Sequence, residues 1–581
     1  MCRLEKRLLS RNGLVARDFP LPAILGVALV VFLWPLAASA QQPSEAVRAG
    51  ERIQQELQER QRQQLLEDAR KRKEAPPIKI PDTPRSVAPD GGACREIREI
   101  ALIGVTLLSQ TQQNQLIQPY LNRCLTASDI EALLGNVIKA YIERGNIAAR
   151  PYIRAQDLSS GRLEILVVEG KVESILLNDG DQKSINLSTA FPWVVGQPLN
   201  LRDIEQGLDQ INRLASNSAT MEILPGATAG DSVIAIANKP AFPLGFSLSA
   251  DNLGSESTGK DQLGVTLNFD NPLSLNDFFT MTRRESLTPD RSKRVSIMDS
   301  VYYSVPFGYA LFSLSYNDSN YRTPVKLLSG TMLKSTGNSE SVTAKLDWVG
   351  YRDQVQKLTE SIAITQKENK NFLEGQLLEV SSRKLVILDL DLAWNRFFEA
   401  GTVSLGLGYS RGVKMLGALR DTPDLRPDSP RAQGEKFRYS ASLFVPFKLG
   451  GVSASFSSQF SGQYALDPLY GSEQLLIGSY YTVRGFVKNS LSGDRAHYVR
   501  NEVALSFPID HITLRPYVGL DYGRVQAFRN TPAGELWGVA AGFRISSKYV
   551  NGDIAVVQPL NTPRGASKEV SQLFASLSLN F

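Results

Sequence analysis

The chain has 581 residues, 42% of them hydrophobic, and a net charge of +5 from 64 basic and 59 acidic side chains. That length exceeds one ordinary globular core, so several domains or one large barrel with appendages are expected. The charge balance carries no nucleic-acid signal, and a helical membrane protein would need repeated apolar runs of about 20 residues where this sequence has one.

That run, Leu21 to Ala37, follows Arg3, Lys6, Arg7, Arg11 and Arg17 and ends in Ala38-Ser39-Ala40. It reads as a cleaved export signal over residues 1–40, with an uncleaved anchor as the alternative. Cys2 leaves with the signal, so Cys94 and Cys124 remain as an even pair in an exported chain, where a disulfide is expected. Two isolated cysteines and the distant His497 and His511 make no ligand cluster, so neither a metal nor a cofactor is expected.

Residues 44–74 are rich in Gln, Glu and Arg, and Glu56/Arg60, Glu67/Lys71 and Asp68/Arg72 stand at helical i,i+4 spacing. Their few apolar residues form no stripe. Such a helix belongs in water or in a polar cavity. Prolines 76, 77, 81, 84 and 89 then make residues 75–92 an extended linker.

Residues 93–170 read β, α, α, β, β. A strand is expected over Arg95–Ile103 and a short helix near Gln112–Asn122. A longer helix capped by Thr126 or Ser128 carries Ile130, Leu133, Leu134, Val137, Ile138 and Tyr141, and strands follow near Ala149–Arg154 and Leu163–Val168. The order repeats over residues 171–240: a strand at Val172–Leu177, a helix capped by Asn200 with Ile204, Leu208 and Ile211 on one face, and strands at Met221–Leu224 and Ser232–Ala237.

From residue 241 the pattern alternates with period two, as in Phe246–Ala250, Leu311–Tyr316, Val403–Leu407 and Val452–Phe456, with Ser, Gly or Thr opposite the apolar positions. A soluble sandwich would carry charge on its wet face. A membrane barrel puts the apolar face to lipid and the small polar face to the lumen. In the last strand Leu573, Ala575, Leu577, Leu579 and the terminal Phe581 share a face. Residues 241–581 allow about 16 strands at roughly 20 residues per strand and connection.

A signal, a detached polar helix, a Pro-rich linker, two βααββ modules and a terminal barrel together resemble the two-partner secretion transporters, the exporters of hemolysins and filamentous hemagglutinins. The modules resemble polypeptide-transport-associated (POTRA) domains through Tyr141-Ile-Glu-Arg-Gly145, Gly161 to Gly170 ending Val-Val-Glu-Gly, Ile211-Asn-Arg-Leu214 and Leu224-Pro-Gly226. Cys94 and Cys124 match a cystine frequent in the first module. Val483-Arg484-Gly485-Phe486 matches the superfamily signature on a loop folded back into the barrel, and Gly519-Leu-Asp521-Tyr-Gly523 matches its partner motif.

Parity supports that match independently. With Val518, Leu520 and Tyr522 facing lipid, Gly519, Asp521 and Gly523 face inward, and the glycines leave room for a second backbone and an arginine beside the carboxylate. The contrary reading is two solvated charges in a wet pore, contributing about 0–1 kcal/mol. Glu502 faces the lumen by the same parity as a competing carboxylate, its role open. Arg524 falls on the lipid side and so belongs near an interface. Asp421 to Pro430 reads as a surface loop.

The resemblance implies a mainly β fold in the outer membrane of a Gram-negative cell, with POTRA domains in the periplasm and no enzymatic activity. It implies a secreted partner exoprotein passed through the barrel without nucleotide, outer-membrane lipid around the barrel, barrel-assembly machinery recognising the strand that ends at Phe581, and a monomer. Rival readings are an outer-membrane insertase of the same superfamily, usually richer in POTRA domains, and a diffusion porin, which needs none.

Overall fold

The computed structural model describes residues 94–179, 184–326 and 330–581. The expected signal, polar helix and linker lie outside the described residues.

In the first module the expected single strand over Arg95–Ile103 is two. Arg95–Ile97 pairs antiparallel with Arg123–Leu125, a strand absent from the expectation, while Glu99–Ile103 runs parallel to Arg162–Val168, whose other edge takes Arg150–Tyr152. The physical reason is the spacing of Ile97 and Ile100. Both are buried, and three residues apart they cannot share one face of an unbroken strand. Helix α1 (Gln110–Ile117) begins two residues earlier than expected, at a capping box between Ser109 and Gln112, and gives way to a 3₁₀ turn at Gln118–Tyr120. Helix α2 (Ala127–Ile142), capped by Thr126, buries Leu133, Val137 and Tyr141 against Ile100, Leu163 and Ile165. Cys94 and Cys124 are joined in a disulfide that ties the start of the module to the strand before α2.

The second module repeats the plan. Val172–Asp179 runs parallel to Ser232–Ala237, which pairs antiparallel with Thr220–Pro225. A one-turn helix α3 (Leu187–Ala190), not foreseen in the sequence, precedes α4 (Leu201–Asn212), capped by Asn200. Ile204, Leu208 and Ile211 of α4 bury into the module's own core. The polar face is covered too, because the helix lies against turns of the barrel: Gln210 Nε2 donates to the Gly308 carbonyl (2.9 Å), Arg213 reaches Ser304 Oγ (2.8 Å) and the Asn276 carbonyl (2.7 Å), and Tyr309 donates to Asp203 (2.7 Å). Arg352 adds an ion pair to Asp209 and a hydrogen bond to Gln206 (3.0 Å).

The barrel closes from sixteen antiparallel strands among the described residues: β1 (Leu244–Asp251), β2 (Gln262–Asp270), β3 (Phe278–Ser286), β4 (Val295–Phe307), β5 (Ala310–Lys326), β6 (Met332–Arg352), β7 (Gln356–Leu373) and β8 (Arg383–Phe398). The second half comprises β9 (Gly401–Gly412), β10 (Glu435–Leu449), β11 (Val452–Ala465), β12 (Arg495–Ile509), β13 (Ile512–Val525), β14 (Gly534–Ser546), β15 (Val550–Pro559) and β16 (Gln572–Asn580). The seam between β16 and β1 is short, running only from Ser576↔Asp251 to Asn580↔Ser247, whereas β5 and β6 pair from Ala310↔Trp348 to Lys326↔Met332. Turns at one end of the barrel meet the second module. The connection from β11 to β12, residues 466–494, starts from the opposite end and folds inward.

Candidate functional site: the anchored lumen loop

The parity expected for β13 holds: Tyr517, Asp521 and Val525 are buried, while Val518, Leu520 and Arg524 are exposed. Arg524 stands at the last turnward position of its strand with its guanidinium on Glu535 (3.6 Å), which suits a membrane border.

On the inner side the loop brings Val483, Arg484, Gly485 and Phe486 against this wall. Arg484 is 1% exposed and Asp521 0%. The guanidinium donates Nε to Asp521 Oδ2 (2.7 Å) and Nη2 to Oδ1 (2.8 Å), and the Arg484 amide adds a third bond to Oδ2 (3.0 Å). This is a bidentate fork with a backbone clasp, a geometry that fixes position and orientation together.

The glycines make the socket. A Cβ on Gly519 would stand 2.1 Å from Arg484 Nη2, and one on Gly523 2.7 Å from Val483 Cγ2. Gly538 of β14, not singled out in the sequence, is equally required, since its Cβ would fall 1.8 Å from the Arg484 carbonyl oxygen. Gly485 turns the loop at φ 102°, in the left-handed region that a glycine enters freely. Val483 and Phe486 bury with Ile477, Tyr498, Val525 and Leu536, so the charged pair sits on an apolar bed.

Glu502 is not a rival for Asp521 but a second partner. It accepts Arg484 Nη1 at 3.1 Å and Arg544 Nη2 at 2.9 Å. Arg544 passes the network on through Nε to Asp553 Oδ2 (3.0 Å), and Asp553 accepts the hydroxyls of Tyr480 (2.7 Å) and Tyr517 (2.9 Å). Arg544 and Asp553 were not foreseen. Parity alone could have placed both inward, because Gly538, Ala540, Gly542 and Arg544 alternate against Val539, Ala541 and Phe543 on β14, and Asp553, Ala555 and Val557 against Ile554 and Val556 on β15.

A second anchor was not foreseen either. Glu473, on a 3₁₀ turn of the same loop, is held by Lys367 of β7 at 2.7 Å and Lys436 of β10 at 3.1 Å. Lys436 Nζ also donates to the Glu473 carbonyl (2.7 Å). The loop is thus fixed to β12–β15 at one end and to β7 and β10 at the other. Beyond Phe486, Glu569 of the β15–β16 loop accepts the amides of Val487 (2.8 Å), Lys488 (3.1 Å) and Asn489 (2.7 Å).

The motif residues of the first module also converge. Tyr141 donates to Glu169 (2.7 Å), which accepts the amides of Thr106 and Leu107 (both 2.8 Å). Burial, with Glu169 alongside, pushes the Tyr141 hydroxyl far above its usual range; burial works to raise Glu169 as well, but the hydrogen bonds from Thr106, Tyr141 and the two amides outweigh it and hold that carboxyl low. Gly145 marks the joint between modules: Leu201 donates to its carbonyl (2.8 Å), and a Cβ there would strike Asn200 Oδ1 at 2.4 Å.

Comparison with known proteins follows the same outline. Residues 230–545 match the family model of the haemolysin secretion/activation proteins ShlB/FhaC/HecB, residues 96–170 the ShlB-type POTRA domain, and residues 171–225 a POTRA domain. The chain is 34% identical to the outer membrane transporter CdiB of Dickeya dadantii, over 81% of this chain and 84% of that protein. It is 33% identical to the hemolysin transporter protein ShlB of Serratia marcescens, over 75% and 77%. The solved structure of CdiB from Escherichia coli superposes with a TM-score of 0.83 at 31% identity, covering 94% of this chain and all of that one.

Proposed function

The chain belongs to the haemolysin secretion/activation family of outer-membrane transporters, and from that premise we propose that its lumen loop is a fixed part of the pore, while the polar segment at residues 44–74 is the plug that leaves it. The family consists of two-partner secretion transporters, with POTRA domains in the periplasm and a barrel in the outer membrane. The chain exports a partner polypeptide.

The observation that carries the proposal is the double anchorage of the loop. Arg484 and Asp521 are both sealed from solvent, and separating them would strand two buried charges, at about 3–5 kcal/mol. A gate that opened at every transport event would have to meet that cost each time.

In this reading the cargo is a large exoprotein of the hemolysin or contact-dependent toxin type. Its extended secretion domain adds as a strand to an open edge of a POTRA sheet, where main-chain hydrogen bonds tolerate varied sequence. The second module, seated on the barrel turns, passes it to the pore, and folding outside gives direction without nucleotide. The strand ending at Phe581 serves recognition by the barrel-assembly machinery, and the transporter works as a monomer.

Full-length transporter in lipid vesicles, supplied with the secretion domain of its partner exoprotein, should move that domain across the membrane without nucleotide. Failure to accumulate it on the far side would contradict the reading. Deleting residues 44–73 should raise ion conductance in planar bilayers, and unchanged conductance would rule out the plug.

A further inference from the structure

Trp193 lies in the turn between α3 and Leu199 of the second module. It is 78% exposed, and two residues on Val195 is 53% exposed. Its backbone stands at φ 61°, where bulky side chains are steric outliers. Strain of this kind persists where the surroundings enforce it, and it gathers at functional positions.

The barrel enforces it here. The turn β4–β5 interlocks with residues 189–193: the Gly308 amide donates to the Thr189 carbonyl (2.8 Å), and a Cβ on Gly308 would stand 2.8 Å from Pro192 Cγ. The indole is thereby set edge-on against the ring of Phe307, with centroids 5.1 Å apart and planes at 78°. Phe307 ends β4 on its outward face, opposite in parity to the buried Ser304, and is itself 44% exposed.

The level of this contact follows from the outward residues of β5 and β6. On β5, Phe312, Leu314 and Tyr316 give way to Asp318 and Asn320; on β6, Trp348, Leu346 and Val342 give way to Glu340 and Asn338. The lipid-facing section of β6 thus runs from Val342 to Trp348, about 20 Å along the strand at roughly 3.4 Å per residue, or about 15 Å of height at a tilt of roughly 40°, within the apolar height of roughly 25 Å in such barrels. Its periplasmic border is the level of Trp348, Tyr309 and Phe307. Tyr309 and Trp348 stand 6.4 Å apart by ring centroids, and Trp193 extends this aromatic row sideways from the barrel onto the module.

We propose that the turn Pro192–Gly196 is a membrane-surface anchor whose ligand is phospholipid, with Trp193 and Val195 entering the headgroup–acyl boundary of the periplasmic leaflet. An indole is suited to that boundary, being apolar in body and polar at its edge. The anchor sets the height and tilt of the second module beneath β4 and β5, in addition to the polar contacts of α4. It requires a lipid bilayer, which the polar contacts between α4 and the barrel do not.

The test is tryptophan fluorescence of the full chain in phosphatidylcholine vesicles, comparing plain lipid with lipid brominated in the upper acyl chain, a depth of roughly 5–10 Å. The signal lost in Trp193→Phe relative to unsubstituted protein isolates Trp193, and the signal lost in Trp348→Phe is the ruler for a ring at the border. The proposal expects the Trp193 signal to fall about twofold in brominated lipid, as the Trp348 signal does. A Trp193 signal equal in both lipids, with Trp348 quenched, would overturn it. If Trp193→Phe does not assemble, protein in which Trp34, Trp348, Trp394 and Trp537 are Phe reads Trp193 alone, and the same two outcomes decide the question.

Discussion

The two ends of the lumen loop are held by opposite chemistry. At Arg484 the loop supplies the cation and the wall the carboxylates; at Glu473 the loop supplies the carboxylate and the wall two lysines. The Arg484 end adds a planar fork, a backbone amide and glycine sockets in Gly519 and Gly538, so it specifies position and orientation together. The Glu473 end relies on two flexible ammonium stems, which supply charge with little directional demand. The first end sets register, and the second neutralises and tethers.

This contrast is most easily upset at the rigid end. Arg484→Ala leaves Asp521 buried without a cation, and about 3–5 kcal/mol of loop anchorage should be lost; export should collapse, and protease access to residues 466–494 in intact cells should rise. Gly519→Ala should come close behind while leaving every charge in place, because the new methyl occupies the Nη2 position. Normal export by that variant would show that charge, not shape, holds this end.

Arg484→Lys then separates the two chemistries. It keeps the charge but cannot form the fork, so export should remain near the Arg484→Ala level, whereas Lys367→Arg at the other end should export almost normally. An effect between those of Arg484→Lys and Lys367→Arg is expected from Glu473→Gln, which leaves Lys367 and Lys436 facing each other without a carboxylate. Bilayer conductance should become noisier and pass more anions, with export reduced only several-fold; loss as deep as that of Arg484→Ala would erase the distinction between the ends.

The same distinction explains what could be read from sequence. Asp521, Gly519 and Gly523 were legible because shape demands leave a local pattern, glycines alternating about an inward carboxylate, whereas Arg484 was picked out through the resemblance of Val483–Phe486 to the superfamily signature. Lys367, Lys436 and Glu473 were not, since a charge tether needs no motif and its members lie far apart in the chain. Glu502 was placed on the correct face without its partner Arg544, although parity exposed both.

The fold shows a parallel limit. Alternation marked out the barrel, the length of residues 241–581 its strand number of about 16, and the apolar face of α4 was plain from Ile204, Leu208 and Ile211. That the polar face of α4 would be buried too depended on Gly308 and Asn276 in barrel turns and Arg352 at the end of β6, all distant in sequence. The break at Arg98 was in principle readable, since Ile97 and Ile100 violate strand periodicity, but short flanking runs disguise such a break as one strand.

All of this requires the Arg484 end to stay closed during export. Val483→Cys with Gly523→Cys places a thiol beside a partner whose Cβ would stand 2.7 Å from the present Val483 Cγ2. Export by the oxidised, cross-linked transporter should equal export by the same protein kept reduced. Export that stops on cross-linking and returns with reductant would show that this end must open, and that the loop is a gate instead of a fixture.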